Sequence, residues 1–100
     1  MPYADPLTKA ELTAALADLP DWSREGDHIR RTVRVAGFSA AAELVRAVAD
    51  AADAADHHPD VHIIRYRNVT FELTTHAAKA ITRRDIDLAG QIDRLIIGRA

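Results

Sequence analysis

The chain has 100 residues, 48% of them hydrophobic and 28% charged, which is typical of one small globular domain spanning residues 1–100. Its formal net charge of −2 argues against a nucleic-acid partner, and the absence of cysteine excludes disulfides, thiolate metal ligands and cysteine nucleophiles. The sequence lacks both the pattern of a signal peptide and an apolar run long enough to span a membrane. We therefore expect a cytoplasmic protein without a membrane partner.

The first element that the sequence predicts is a helix from about Lys9 to Asp18. Thr8 and Glu11 have the T-x-x-E spacing of a capping box, which marks the start of a helix. Apolar residues recur after them at helical spacing, and Pro20 stops the helix.

A β-hairpin follows this helix. Its first strand begins at Asp21-Trp22, Gly26-Asp27 predicts the turn, and residues 29–35 alternate as in a half-buried second strand. The alternation places three apolar residues on the core face: Ile29, Val33 and Val35.

A long helix comes next, because Gly37 breaks the strand and Ser39 can serve as the N-cap. The helix continues to about Asp56, and Pro59 ends it. Its apolar face is predicted to hold Phe38, Ala41, Val45, Val48 and Ala52.

The second half of the chain repeats this order with two strands and a helix. Residues 61–66 predict a strand, Arg67-Asn68 a turn, and residues 69–73 a clearly alternating strand. Thr82 and Asp85 then mark the cap of a last helix that reaches about residue 99. The order α-ββ-α-ββ-α predicts an α+β fold in two layers, with helices packed on one face of a four-stranded antiparallel sheet.

Histidines are the candidate functional residues. Four of the five lie within twenty residues: His57, His58, His62 and His76. Asp53 precedes His57 by four residues, a helical spacing that would let its carboxylate orient the imidazole. His76 closes a strand close to a loop, which is a natural rim for a pocket, whereas His28 lies in a turn elsewhere.

Other interpretations of these histidines stay open. A histidine that ends a helix is often only a favourable partner for the helix dipole, and His62 is most simply an outward-facing strand residue. Three histidines could bind zinc, but His57 and His58 diverge around a helix, and no H-E-x-x-H or cysteine pattern supports a metal site.

The combined motif resembles the pattern of the pterin-4a-carbinolamine dehydratases. In that family an acidic residue stands four positions before His-His-Pro, an aromatic residue follows, and a Thr-His or Ser-His pair precedes an aspartate. The matching residues here are Asp53, His57, His58, Pro59, Tyr66, Thr75, His76 and Asp85, with Trp22 at a further family position.

The resemblance implies dehydration of a 4a-hydroxytetrahydropterin by histidine general acid/base catalysis, without a cofactor. It implies that His57, His58 and His76 are catalytic, that Asp53 orients His57, and that Asp85 supports the site by capping the last helix and fixing the His76 loop. The residues expected to bind the pterin are Asp53, Pro59, Thr75, Ala77, Ala78 and Trp22, although Trp22 can equally belong to the core. Family members typically form homodimers or homotetramers, which we expect here.

Two departures from the family pattern concern the pocket. One extra residue lies between Pro59 and Tyr66, which a bulge or a longer loop could absorb. After His76 the family usually has an acidic residue and then a pair that contains glycine, where this chain has 77–80 Ala-Ala-Lys-Ala. Some relatives act instead as dimerisation partners of a transcription factor or as assembly helpers, so a non-enzymatic binding role is the alternative function.

Overall fold

The computed structural model describes residues 5–99, and these form one α+β unit with the predicted order of elements. Its helices are α1 (Lys9–Ala17), α2 (Phe38–Ala55) and α3 (Arg83–Ile97), and its strands are β1 (Ser23–Glu25), β2 (His28–Arg34), β3 (Asp60–Ile64) and β4 (Asn68–Leu73). All neighbouring strands pair antiparallel in the order β1-β2-β4-β3. Within residues 5–99 no helix is long and apolar enough to cross a membrane.

The core lies where one face of the central strands meets the helices. β2 and β4 supply side chains without exposed surface, as do α2 and α3, which pack on each other. These residues include Ile29, Val69, Phe71 and Leu73 from the sheet and Leu44, Ala89 and Ile92 from the helices. Phe38 was predicted on the buried face of α2 but is 63% exposed at the very start of the helix, before the first buried residue, Ala41.

Two of the three predicted helix starts are confirmed in detail. Thr8 and Glu11 form a reciprocal capping box at α1, and Thr82 and Asp85 form another at α3. The predicted N-cap of α2 is wrong: the chain stays extended through Gly37, which is the N-cap, so Ser39 already lies inside the first turn.

The β3–β4 hairpin turns earlier than predicted. Regular pairing runs from Asp60 opposite Glu72 to Ile64 opposite Asn68, so these two strands contain no bulge. The connecting loop is therefore residues 65–67, and the prediction of a turn at Arg67-Asn68 is wrong because Asn68 begins β4. This loop is the place left for the extra residue.

The end of α2 turns the chain sharply. Asp56 adopts left-handed backbone angles, φ 49° and ψ 43°, and its N–H donates to carbonyls of the last helical turn. The His57 N–H likewise donates to the Ala52 carbonyl at 3.1 Å. Residues 57–59 therefore leave the helix axis and pass over the end of the sheet.

Candidate active site

A cleft at this end of the sheet contains all three candidate catalytic histidines. It has a volume of about 380 Å³, within the usual range for small-molecule sites. The C-terminus of α2, the end of β4 and the first turn of α3 meet there. We call this the histidine cleft, and its lining residues are Asp56, His57, His58, Thr74, Thr75, His76, Ala77 and Arg84.

His57 is held by a buried carboxylate from α3. Its Nε2 lies 2.6 Å from Oδ1 of Asp85, and the two side chains are 10% and 0% exposed. An ionised carboxylate only accepts hydrogen bonds, so Nε2 donates to it and Nδ1 is the ring nitrogen left for other partners. The arrangement fixes both the orientation and the tautomer of this imidazole.

The other oxygen of Asp85 organises the surrounding backbone. Oδ2 accepts hydrogen bonds from the Thr82 backbone N–H and the Thr75 hydroxyl, each at 2.9 Å. The two threonine hydroxyls also lie 2.7 Å apart. The expectation that Asp85 caps the last helix and fixes the His76 loop agrees with these contacts, and its direct bond to His57 was not foreseen.

Asp53 pairs with His58 rather than with His57, which corrects the prediction from helical spacing. The distance from Asp53 Oδ1 to His58 Nε2 is 3.0 Å, and the side chains are 76% and 57% exposed. The helix ends before His57, so the four-residue rule no longer applies to that histidine. An ion pair this exposed contributes little, on the order of 0–1 kcal/mol.

His76 lies in a tight turn after β4. The Thr75 N–H donates to the Ala80 carbonyl, the Ala78 N–H to Thr75, and the Lys79 N–H to His76, at 3.0, 3.0 and 3.2 Å. The exposed imidazole of His76 thus projects from a hydrogen-bonded loop into the histidine cleft. Because its N–H is already bonded within the turn, Ala78 offers no free amide donor to a substrate.

Of the remaining predicted binding residues, two line the histidine cleft and one does not. Ala77 lines the histidine cleft, as does Thr75, whose hydroxyl is already bonded inside the protein. Pro59 is half-buried and lines neither of the two clefts described here.

Trp22 belongs to the core. It is 5% exposed, and its Nε1 donates at 2.8 Å to Oδ1 of Asp93, which also accepts from Arg31 at 2.6 Å. Arg31 shares the inner face of β2 with the apolar residues, and Asp93 on α3 balances its charge. The interpretation of Trp22 as a pterin-stacking wall is therefore not supported, and its alternative as a core residue is.

Sequence reasoning missed a second cleft beside the first. It has a volume of about 310 Å³, and we call it the His28 cleft. Antiparallel pairing of Ile29 with Leu73 brings His28 next to the end of β4. The lining residues are Asp27, His28, His58, Asp60, Glu72, Thr74, His76 and Lys79.

His62, the remaining histidine of the cluster, faces outward from β3, as expected. It is 56% exposed, lies 3.8 Å from Glu72, and lines neither cleft. Across residues 5–99, no three histidine or acidic side chains are grouped closely enough to hold a metal ion.

Comparison with known proteins places this geometry in a family. The model of the family described as pterin 4 alpha carbinolamine dehydratase matches residues 5–95. Relatives named "Putative pterin-4-alpha-carbinolamine dehydratase" include one from Nocardia farcinica, 56% identical over 89% of this chain and 93% of its own length, and one from Mycobacteroides abscessus, 48% identical over 90% and 95%.

Solved structures agree. A transcriptional coactivator/pterin dehydratase from Brucella melitensis has a TM-score of 0.86 at 29% identity, covering 91% of this chain and 98% of its own. A pterin dehydratase-like RuBisCO assembly factor of the alpha-carboxysome shares the fold, with a TM-score of 0.60 at 12% identity over 74% of this chain and 84% of its own. This chain therefore belongs to the pterin 4 alpha carbinolamine dehydratase family.

Proposed function

We propose that this protein converts a 4a-hydroxytetrahydropterin into quinonoid dihydropterin and water, and so serves the recycling of tetrahydrobiopterin in the cytoplasm. The observation that carries the proposal is the convergence of His57, His58 and His76 on one cleft, with His57 fixed by buried Asp85. Family membership supports the same reaction.

The reaction needs two proton transfers. The C4a–O bond breaks as the hydroxyl receives a proton and leaves as water, and N5 loses its proton to form the new C=N bond. An imidazole has an ordinary pKa of about 6.5, so at neutral pH one can act as general acid and another as general base. No electrons are gained or lost overall, so the chemistry requires no redox cofactor.

The histidines have different surroundings, which suits different roles. His57 is almost buried and keeps a fixed orientation through Asp85, whereas His58 and His76 are exposed. The exposed imidazoles can exchange protons with water between turnovers, and His57 can hold a reacting atom in one position. Asp56 and Arg84, elsewhere in the histidine cleft, offer a carboxylate and a guanidinium to the amino-pyrimidinone part of the ring.

Ultraviolet absorbance during dehydration of a synthetic 4a-hydroxytetrahydropterin tests the proposal. We expect His57→Ala and His76→Ala each to lower kcat by about 10²–10⁴-fold, the usual contribution of a general acid or base. His62→Ala is the matched control, because it removes an imidazole outside the cleft, and it should keep kcat within about twofold of the wild type.

Two results would contradict the proposal. One is a wild-type protein that dehydrates the pterin no faster than buffer does. The other is a His62→Ala variant that loses as much activity as the cleft variants, which would show that the losses do not report on the cleft.

The alternative function is non-enzymatic binding as a dimerisation or assembly partner. Solved structures with this fold include one described as a transcriptional coactivator/pterin dehydratase and one described as a RuBisCO assembly factor, which motivates the test. A scaffold has no need of a histidine locked by a buried carboxylate, so partner binding alone would survive His57→Ala. Light scattering of the purified protein would test the expected homodimer or homotetramer.

A further inference from the structure

A further cleft lies at the opposite end of the sheet from the histidine cleft. It has a volume of about 390 Å³, and we call it the arginine cleft. Its lining residues are Arg34, Arg65, Tyr66, Arg67 and Asn68. Asn68 begins β4, whereas Thr74 of the histidine cleft follows its last residue, so roughly 20 Å of strand separates the two clefts at about 3.3 Å per residue. The arginine cleft is therefore not part of the proposed active site.

Strand pairing brings the three arginines of this cleft together from distant parts of the sequence. Arg34 ends β2 opposite Asn68, and the Val35 N–H donates to the Arg67 carbonyl at 2.9 Å. Arg65 and Arg67 belong to the loop of the β3–β4 hairpin, in which the Arg67 N–H donates to the Arg65 carbonyl at 2.8 Å. The three guanidiniums therefore extend from a backbone that hydrogen bonds hold in place.

The positive charge of the arginine cleft is not offset by acidic neighbours. Among residues 5–99, no aspartate or glutamate lines the cleft or forms an ion pair with its arginines. The sequence contains no acidic residue in 28–42 or in 61–71. By contrast, Arg30, Arg31 and Arg46 each pair with a carboxylate, at 3.1, 2.6 and 3.5 Å. Because arginine stays charged at physiological pH, the cleft attracts anions.

The backbone of the hairpin loop supports a role for its side chains. Arg65 and Tyr66 have φ values of 52° and 57°, in the left-handed region. Hairpin turns that need such angles usually contain asparagine and glycine, whereas this chain has a cationic and an aromatic residue there. Strained residues concentrate at functional sites. The Arg67 guanidinium lies over the Tyr66 ring, 5.6 Å from its centroid, so the ring helps to hold this charge beside the cleft.

The number and shape of the guanidiniums indicate which anion fits. A guanidinium can bind a phosphate group through two parallel hydrogen bonds. Two linked phosphate groups, at about −1.5 charges each, match the three positive charges, which a single carboxylate does not. The volume of the cleft is within the range of small-molecule sites. The chain's net charge of −2 and the confinement of the unpaired arginines to one cleft disfavour an extended nucleic-acid backbone.

We propose that the arginine cleft binds a small molecule through a diphosphate group, with Arg34, Arg65 and Arg67 as the binding residues. The proposal is independent of the dehydratase function, because the two clefts lie at opposite ends of the sheet. Two sources of a diphosphate group share this chemistry. One is inorganic pyrophosphate, and the other is a nucleoside diphosphate, whose base would stack on the exposed ring of Tyr66.

Isothermal titration calorimetry of the full-length protein at low salt tests the proposal, with inorganic pyrophosphate and ADP as probes. We expect both probes to bind, and orthophosphate to bind at least about tenfold more weakly than pyrophosphate. Arg34→Gln, Arg65→Gln and Arg67→Gln should each raise the Kd of pyrophosphate by about tenfold or more, the effect of a lost charge-assisted hydrogen bond.

Arg46→Gln is the matched control, because it removes the same charge from an arginine that is 80% exposed and lies outside the cleft. It should keep the Kd within about twofold of the wild type. Arg65→Gly removes the guanidinium but adopts a positive φ without strain, so it should lose binding while staying at least as stable as the wild type in urea. Circular dichroism checks that the glutamine variants are folded.

The proposal is overturned if neither probe binds, if binding survives the three glutamine variants, or if Arg46→Gln weakens binding as much as they do. Orthophosphate that binds as tightly as pyrophosphate also overturns it, as does a single-stranded oligonucleotide that binds more tightly. The two probes then separate the sources. Tighter binding of ADP than of pyrophosphate supports a nucleotide as the ligand, and equal or weaker binding of ADP supports the inorganic diphosphate.

Discussion

Replacement of Asp85 by asparagine makes the two ends of the buried carboxylate chemically different. The side chain keeps its size, but one oxygen becomes an NH₂ group that only donates. Three donors converge on Asp85: Nε2 of His57 at 2.6 Å, the Thr75 hydroxyl at 2.9 Å and the Thr82 N–H at 2.9 Å. At least one of them must lose its acceptor in the variant.

The magnitude follows from burial. A hydrogen bond to a charged group contributes about 1.5–3 kcal/mol, and a donor left unsatisfied in the interior adds a desolvation cost of similar size. With Asp85 fully buried, we expect Asp85→Asn to lower the free energy of unfolding by about 2–4 kcal/mol. At an m-value of about 1–3 kcal/mol per molar urea, the unfolding midpoint falls by roughly 0.7–4 M.

Urea unfolding followed by the fluorescence of Trp22, which is the only tryptophan and is buried, measures this change. Asp53→Asn is the matched control, since the same chemical change at a carboxylate that is 76% exposed should cost less than about 1 kcal/mol. Turnover of Asp85→Asn under conditions where it is folded should fall by about 10²-fold or more, because His57 loses its fixed tautomer. An Asp85→Asn protein as stable and as active as Asp53→Asn would refute the reasoning.

Three further changes test other parts of the structure. Thr75→Val removes two buried hydrogen bonds and should cost about 1–3 kcal/mol in urea unfolding while changing kcat less than about tenfold. Trp22→Phe removes the donor to Asp93 and should cost about 1–2 kcal/mol, measured by circular dichroism. Glu11→Gln tests pH dependence: hydrogen bonds from Thr8, the backbone N–H first, lower the pKa of Glu11 from 4.5, so its carboxylate stabilises the fold above that value. The wild type should therefore be more stable than Glu11→Gln near pH 7. This difference should disappear as the pH falls below 4.5 and through the lower pKa of Glu11 in the folded state. Urea unfolding over this pH range measures the difference.

Local signals predicted most of the fold. The capping boxes at Thr8 and Thr82 and the alternation of Val69, Phe71 and Leu73 depend on neighbours in the sequence, and each is confirmed. The errors occur where pairing between strands or contact between separate elements determines the structure. The hairpin turned early because the pairing of Ile64 with Asn68 sets the register of the whole strand pair.

The orienting residue of His57 could not be predicted for a related reason. Helical spacing assigned it to Asp53, and this failed because Asp56 adopts a left-handed conformation that ends the helix one residue earlier. The actual partner, Asp85, is 28 residues away, and its position in the sequence was already explained by its role as a capping residue of α3. A capping pattern in the sequence does not indicate that the second oxygen of the carboxylate also binds a distant residue.

The His28 cleft escaped prediction because it arises only from strand pairing. His28 and Thr74 are far apart in sequence and become neighbours through the antiparallel ladder between β2 and β4. Lys79 also lines this cleft, and its positive φ of 52° is a backbone property that the sequence did not indicate.

Asp85 links the fold of this protein to its proposed chemistry. Oδ2 is committed to α3 and the β4 end, through Thr82 and Thr75, and only Oδ1 reaches His57. Contacts within the protein therefore hold the carboxylate in place whether or not a substrate is bound. Through its hydrogen bond to Oδ1, His57 is held in a fixed position as well. An imidazole preorganised in this way need not be reoriented during the reaction, which is why we expect the buried pair, rather than the exposed Asp53–His58 pair, to govern the rate.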